Sequence, residues 1–182
     1  MSNYCNYTKN LNQGNVHKVY HDTQYGFPVH SDNELFGRLL LEINQAGLSW
    51  DTILNKQKNF KRAYADYDIK TIANFNDDDR KRLLSDVGII RNRLKVDAAI
   101  YNAKVILELQ KTHGSFITWL DYHHPKTKKE WVQLFKKTFK FTGVEITKEF
   151  LMSSSYLKGA HSKECPIFKK VLTMNPKWNQ YT

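Results

Sequence analysis

The fold class this sequence predicts is all-α, and three observations predict it. Apolar residues recur at helical spacing along most of the chain. Capping residues and glycines punctuate those stretches where helices should start and stop. The β-branched residues are scattered and never alternate cleanly over a strand length.

The elements follow in order. The first 30 residues read as irregular, with turn signals at Asn12–Asn15 and around Gly26 and Pro28. SDNE, Ser31 to Glu34, has the form of a capping box, with Ser31 as N-cap and Glu34 reaching back. Behind it Leu35, Phe36, Leu39, Leu40, Ile43 and Ala46 mark one helical face, which Gly47 ends. A second helix, from Trp50 to about Ala65, carries Ile53, Leu54, Phe60 and Tyr64. A short helix follows Asp66–Asp68, with Ile69, Ile72 and Phe75. Asn76 to Asp79 starts the next, which runs to Val87, and Gly88 breaks it before a long helix from about Asn92 to Thr112. Phe116–Tyr122, Lys128–Thr138 and Glu145–Ser153 complete the set.

At 182 residues, with no internal repeat and no Pro/Gly-rich linker, the chain reads as one domain over 1–182 that can bury a real core. No apolar run approaches the ~20 residues that a membrane span needs, and MSNYCNYTKN lacks a signal-peptide h-region, so no membrane association and a cytoplasmic location are expected. Lys and Arg outnumber Asp and Glu by 28 to 18, a net charge of +10 that favours a polyanionic partner, nucleic acid before membrane. Nothing points to an oligomer, and a monomer is expected.

Three constellations carry candidate chemistry. Residues 85–100, SDVGIIRNRLKVDAAI, read as helix, tight hairpin, helix. Such a hairpin turns backbone N–H groups and a helix start outward, where a phosphate is held by unsatisfied donors and the helix dipole. Gly88 allows close backbone approach, and Arg91, Arg93 and Lys95 add charge; an ordinary corner with a solvated basic face has the same pattern. At the chain ends, HSKEC places His161 and Cys165 at i, i+4, on one face of a helical turn. With Cys5 and His21 they form a candidate tetrahedral Cys₂His₂ zinc site that uses both cysteines of the chain. The third constellation is LLLEINQAGLSW, residues 39–50, in which Glu42 falls at the edge of the apolar stripe. By spacing alone a surface ion pair with Arg38, four residues earlier, is favoured. The alternative is an acid facing a pocket of Trp50, Tyr20 and Tyr25, where rings stack on a flat heterocycle and the carboxylate meets its N–H edge or positive charge.

Cys5, YHDTQYGFP (20–28), LLLEINQAGLSWDTIL (39–54), GIIRNRLK (88–95), FKFTG (139–143) and HSKEC (161–165) occur together and in this order. In these stretches the chain resembles the 3-methyladenine DNA glycosylase I family, bacterial base-excision repair enzymes of the helix-hairpin-helix superfamily. The resemblance implies a helix-hairpin-helix fold, with that element at about 80–112 and a structural zinc fastening about 1–30 to about 145–170. It assigns the metal to Cys5, His21, His161 and Cys165, and the base pocket to Glu42, Tyr20 and Trp50, beside Tyr25. It makes Gly47–Leu48 the tip that wedges into the DNA stack, and Gly88, Ile89 and Ile90 the phosphate grip. The implied activity is monofunctional hydrolysis of the N-glycosidic bond of alkylated purines in double-stranded DNA, 3-methyladenine and also 3-methylguanine, after base flipping. Glu42 then serves recognition first and stabilisation of the oxocarbenium-like state second.

The chain departs from the family pattern at Tyr7, His17, Gln24-Tyr25, Ile43-Asn44 and Val144 through Glu149. These departures bear on substrate range. They leave open a second reading, a DNA-binding protein on the same fold without excision or with altered specificity. A lyase-competent enzyme using Lys148 is a third.

Overall fold

A computed structural model describes residues 4–180. Among them the chain forms eleven α-helices and no strand: α1 Tyr4–Lys9, α2 Val16–Thr23, α3 Asp32–Gln45, α4 Trp50–Ala63, α5 Ile69–Ala73, α6 Asp77–Ser85, α7 Arg93–His113, α8 Phe116–His123, α9 Lys128–Thr138, α10 Val144–Ser153 and α11 Pro166–Thr173. Short 3-10 turns at Ala65–Tyr67 and Lys177–Asn179 complete it. No helix of the described residues is long and apolar enough to cross a membrane.

The fold is organised around α3, which packs on α4, α7, α8 and α10. Leu35, Phe36, Leu39, Leu40 and Ile43 are fully or almost fully buried, so the stripe is wide, as a helix surrounded by neighbours requires. Each such side chain contributes about 1.5–3 kcal/mol through its removal from water. Phe60, Phe116, Trp131, Phe135 and Phe150 fill the rest of the core from the surrounding helices. Gly37 is required by contact, because a Cβ there would lie 2.4 Å from the Tyr67 ring.

Ser31 caps α3 by accepting from the Glu34 amide at 3.4 Å, but Glu34 does not complete a capping box. Its carboxylate instead accepts from Arg38 Nη2 at 2.9 Å. Asp32, the first residue of α3, has a longer reach: it accepts from the Phe116 and Ile117 amides at 2.7 and 3.0 Å. One carboxylate thereby supports the start of α8 as well as that of α3.

Two differences from the expected elements have clear causes. Residues 4–30 are not irregular throughout, since α1 and α2 lie there, and residues 1–3 lie outside the described residues; at six and eight residues the two helices are too short and polar for a periodic apolar signal. His161 and Cys165 do not share a helical turn either. Residues 159–165 are bends and turns, and Cys165 is the N-cap of α11, whose N1 residue is Pro166.

Candidate active site

Glu42 sits in the last turn-and-a-half of α3 and is buried, 6% exposed. It lines a cavity of about 500 Å³ with Tyr4, Tyr20, Tyr25, Gln45, Trp50, Glu145 and Glu149. The aromatic walls hold one another: Tyr20 is edge-on to Trp50 at 5.2 Å and tilted against Tyr25 at 5.6 Å, while Tyr4 meets Tyr25 edge-on at 5.6 Å. Trp50 takes its place because Ser49 caps α4, accepting from the Thr52 amide at 3.2 Å, so the ring projects from the first turn.

The expected surface pair between Glu42 and Arg38 does not form. Arg38 turns the other way and pairs with Glu34; its Nη1 donates to the carbonyls of Gln24 at 2.9 Å, Phe27 at 3.4 Å and Ser153. A guanidinium so occupied fastens the segment after α2 to the end of α10, and it acts on Glu42 through its charge rather than as a hydrogen-bond partner. Burial, reinforced by the negative charge of Glu149 and partly offset by Arg38, pushes the Glu42 carboxyl up to about 8. At neutral pH Glu42 is therefore largely protonated, able both to donate and to accept.

Beyond α3 the backbone leaves the helix at Ala46 and turns at Gly47, whose φ of +80° belongs to the left-handed region that glycine occupies without strain. Leu48, next to it, is 39% exposed, an apolar side chain offered to solvent at a loop tip. Lys95, at the start of α7, donates from Nζ to the carbonyls of Asn44 and Ala46 at 2.8 and 2.7 Å and so closes the C-terminal end of α3.

The segment 86–92 connects α6 to α7 as a tight hairpin. Its amides do not all face outward. Gly88 N–H donates to Asp86 Oδ1 at 2.7 Å and Ile89 N–H to the Asp86 carbonyl at 3.3 Å. The Ile89 side chain is core, 3% exposed, and Ile90 is half-buried, so neither presents its side chain as a free DNA contact. Arg91 and Arg93 are exposed.

Cys5, His21, His161 and Cys165 come together from α1, α2 and the segment before α11, all buried, with their ligand atoms within 4.8 Å of one another. Cys5 Sγ and His161 Nδ1 are 3.7 Å apart, Cys165 Sγ and His21 Nε2 3.7 Å, and Cys165 Sγ and His161 Nδ1 3.9 Å. Tetrahedral zinc with bonds of about 2.0–2.3 Å separates its ligand atoms by about 3.3–3.8 Å. The outer partners fit as well: His21 Nδ1 meets Asp22 Oδ1 at 2.6 Å, and His161 Nε2 meets the Tyr25 carbonyl at 2.7 Å. These contacts orient each imidazole so that its other nitrogen faces the centre. Burial pulls His161 down to about 4, which keeps it neutral, as a ligand must be.

The family model for methyladenine glycosylases matches residues 10–140. The chain belongs to the methyladenine glycosylase family. A curated member, DNA-3-methyladenine glycosylase 1 of Escherichia coli, is 34% identical over 110 residues; that alignment spans 60% of this chain and 59% of the relative. DNA-3-methyladenine glycosylase of Haemophilus influenzae is 29% identical over 174 residues, covering 86% of this chain and 94% of the relative. Among solved structures, a tyrosine-to-phenylalanine variant of 3-methyladenine DNA glycosylase I in complex with 3-methyladenine superposes with a TM-score of 0.78 at 28% identity, over 86% of this chain and 94% of that one.

Glu42, Tyr20, Tyr25 and Trp50, which the sequence groups together, share this cavity with four residues that the sequence leaves ungrouped: Tyr4, Gln45, Glu145 and Glu149. Gln45 has a local signal, three residues after Glu42 and so on the same helical side. Tyr4 has only its place beside Cys5. Glu145 and Glu149 arrive on α10, a hundred residues away in the chain, and only their departure from the family pattern marks them.

Proposed function

We propose that this chain is a monofunctional DNA glycosylase that hydrolyses the N-glycosidic bond of N3-alkylated purines in double-stranded DNA, with 3-methyladenine as its principal substrate and 3-methylguanine as a second. The single observation that carries this reading is a buried carboxylate, Glu42, in an aromatic cavity whose size suits one flipped purine.

Alkylation at N3 gives the purine a positive charge, so the bond to C1′ is weak before any residue acts. The Leu48 side chain fills the gap that the flipped nucleotide leaves in the stack. Trp50 and Tyr20 stack on the base, and Glu42 meets its donor edge. As the bond breaks, the electron pair goes to the base and positive charge develops on the sugar, where Glu42, in the ionised form that a bound cationic base favours, stabilises it. Water adds at C1′ and loses a proton, leaving an abasic site.

The helix-hairpin-helix element of this reading is α6, the hairpin and α7, which grips the phosphates with the remaining backbone donors, the α7 start and the Arg91 and Arg93 charges. Cys5, His21, His161 and Cys165 would hold a zinc ion, which supplies a four-bonded cross-link between the chain ends and takes no part in the reaction. Lys148 fails as a lyase nucleophile. Partial burial lowers it, but the hydrogen bond to Glu149 and the charges of Glu149 and Glu145 outweigh that and raise it, so the amine stays protonated.

The test is release of free base from methylated duplex DNA, followed by chromatography. Wild type is expected to release 3-methyladenine and the Glu42→Gln variant to lose about 100-fold in rate. A protein that binds DNA but releases no base, with Glu42 or without it, would be a binding module on this fold.

A further inference from the structure

The stretch FKFTG, residues 139–143, joins α9 to α10 and sends its two phenylalanines in opposite directions. Phe139 is core, packed among Phe116, Trp119 and Phe135 at centroid distances of 5.7, 5.7 and 5.3 Å. Phe141 is 38% exposed, on a backbone with φ of +63°. That is the left-handed region, which a bulky aromatic residue occupies only where its surroundings hold it there. Both neighbours do so. The fully buried Asn102 side chain grips the Lys140 backbone twice, donating to its carbonyl at 3.0 Å and accepting from its amide at 2.8 Å. Thr142, also buried, turns its hydroxyl to the carbonyls of Phe135 at 2.9 Å and Phe139 at 3.2 Å. The ring is therefore displayed from a fixed loop. Its setting is basic: Lys136, Lys137 and Lys140, all exposed, precede it in the chain. Lys95 Nζ, bonded to the Ala46 carbonyl at 2.7 Å, lies 6.0 Å from the ring centroid, so Phe141 stands beside the root of the Gly47–Leu48 tip.

We propose that Phe141 is a second stack-contacting residue of the DNA interface, whose ring packs on a base left uncovered when a nucleotide is flipped. The inference rests on the glycosylase reading above. Rotating one nucleotide out of a duplex opens a gap the height of a base, bounded above and below by aromatic faces, with an unpaired base across from it. A leucine side chain is smaller than the purine it replaces, so Leu48 alone leaves part of that surface wet. An aromatic ring beside the tip covers more of it, and stacking of this kind does not depend on which base is there. The lysines around the ring complement the charge of the flanking phosphates. Exposure alone would mean little, since single apolar side chains are common on surfaces. Three observations together mark this one: a conformation that suits glycine, two buried side chains that enforce it, and a place beside the tip.

The experiment measures binding of the full-length protein to a duplex carrying one tetrahydrofuran abasic analogue, by fluorescence anisotropy over a range of salt. That analogue presents the flipped site without a base that a glycosylase could release. Phe141→Gly removes the ring at a φ that glycine adopts freely, so the variant should melt no lower than wild type. It should also bind free 3-methyladenine as wild type does, because Phe141 is not a wall of the Glu42 cavity. Its affinity for the abasic duplex should fall about ten-fold with the slope of log affinity against log salt unchanged, since a stacking contact is lost and no phosphate contact. Phe141→Tyr keeps a ring and should stay within about two-fold of wild type. Wild-type duplex affinity in Phe141→Gly, or an equal loss in Phe141→Tyr, would overturn the proposal. So would a loss in Phe141→Gly that comes with weaker free-base binding or a lower melting temperature, which is what a merely structural role predicts. Base release from methylated duplex by wild type is measured in parallel. If wild type releases base and Phe141→Gly binds the abasic duplex unchanged, the stack contact alone falls; if wild type neither releases base nor binds this duplex, the glycosylase reading falls and takes this one with it.

Discussion

Tyr25 and His161 meet at 2.7 Å, the Tyr25 carbonyl against Nε2 of the imidazole, while the Tyr25 ring faces the base cavity. The candidate metal centre and the candidate base pocket thus share one residue. A metal that fixes His161 fixes the Tyr25 backbone, and with it a pocket wall. Elemental analysis should give about one zinc per chain, reduced in Cys165→Ala. Chelation should lower the melting temperature by about 10 °C or more and weaken 3-methyladenine binding in the same preparation. A metal-free protein with full stability and full base affinity would separate the two sites.

Glu42 links pH to stability. Its folded-state carboxyl is raised to about 8 from the ordinary 4.5. The folded chain therefore holds a proton that the unfolded chain has already lost, and stability is fully present below about pH 4.5 and drains away as pH rises through about 8. Glu42→Gln removes that liability. Denaturant unfolding should find the variant more stable than wild type at pH 8.5 by a few kcal/mol, on the order that a shift of this size allows, with the gap closing toward pH 4.5. A gap independent of pH would mean that Glu42 is not held protonated by the fold.

The same group shapes the rate. Where binding of the cationic base needs the ionised acid, kcat/KM should rise with pH and level off above about 8. Glu149, Arg38, Tyr20 and Tyr25 are the groups around it, and loss of the Glu149 charge in Glu149→Gln should move the limb to lower pH.

Leu48 is expected to act only where there is a stack to fill. Leu48→Ala should slow base release from duplex by about ten-fold, because opening a base step costs a few kcal/mol, and should change release from single strands little. Equal losses on both substrates would place Leu48 elsewhere in the reaction.

For the hairpin, Arg91→Ala should weaken binding to every duplex sequence alike and reduce the slope of log affinity against log salt by about one. A loss confined to particular sequences would mean that Arg91 reads bases.

Much of this was legible because it is local. The spacing of Leu35, Leu39, Leu40 and Ile43 locates α3, and the Asn76 cap locates α6, whose reciprocal Asn76–Asp79 box is present. Cys5, His21, His161 and Cys165 are scarce residue types, so their convergence could be sought by chemistry before geometry. Glu149 could not be found that way: it is one of many acids, and its meaning comes from α10 packing on α3. The hairpin shows another limit. Its glycine is readable as a close approach, and a Cβ at Gly88 would indeed sit 2.8 Å from Asp86 Oδ1, but the partner is the chain's own carboxylate.

Lys95 joins the end of α3 to the start of α7 with two short bonds, at 2.8 and 2.7 Å. Those are the roots of the Gly47–Leu48 tip and of the hairpin's second helix. The interval between the proposed wedge and grip is thereby braced by one ammonium group, in addition to the packing of α3 on α7. In the proposed reading that interval would act as a gauge on a duplex: with the grip seated on one phosphate, the tip would probe only the base step one fixed distance along the groove.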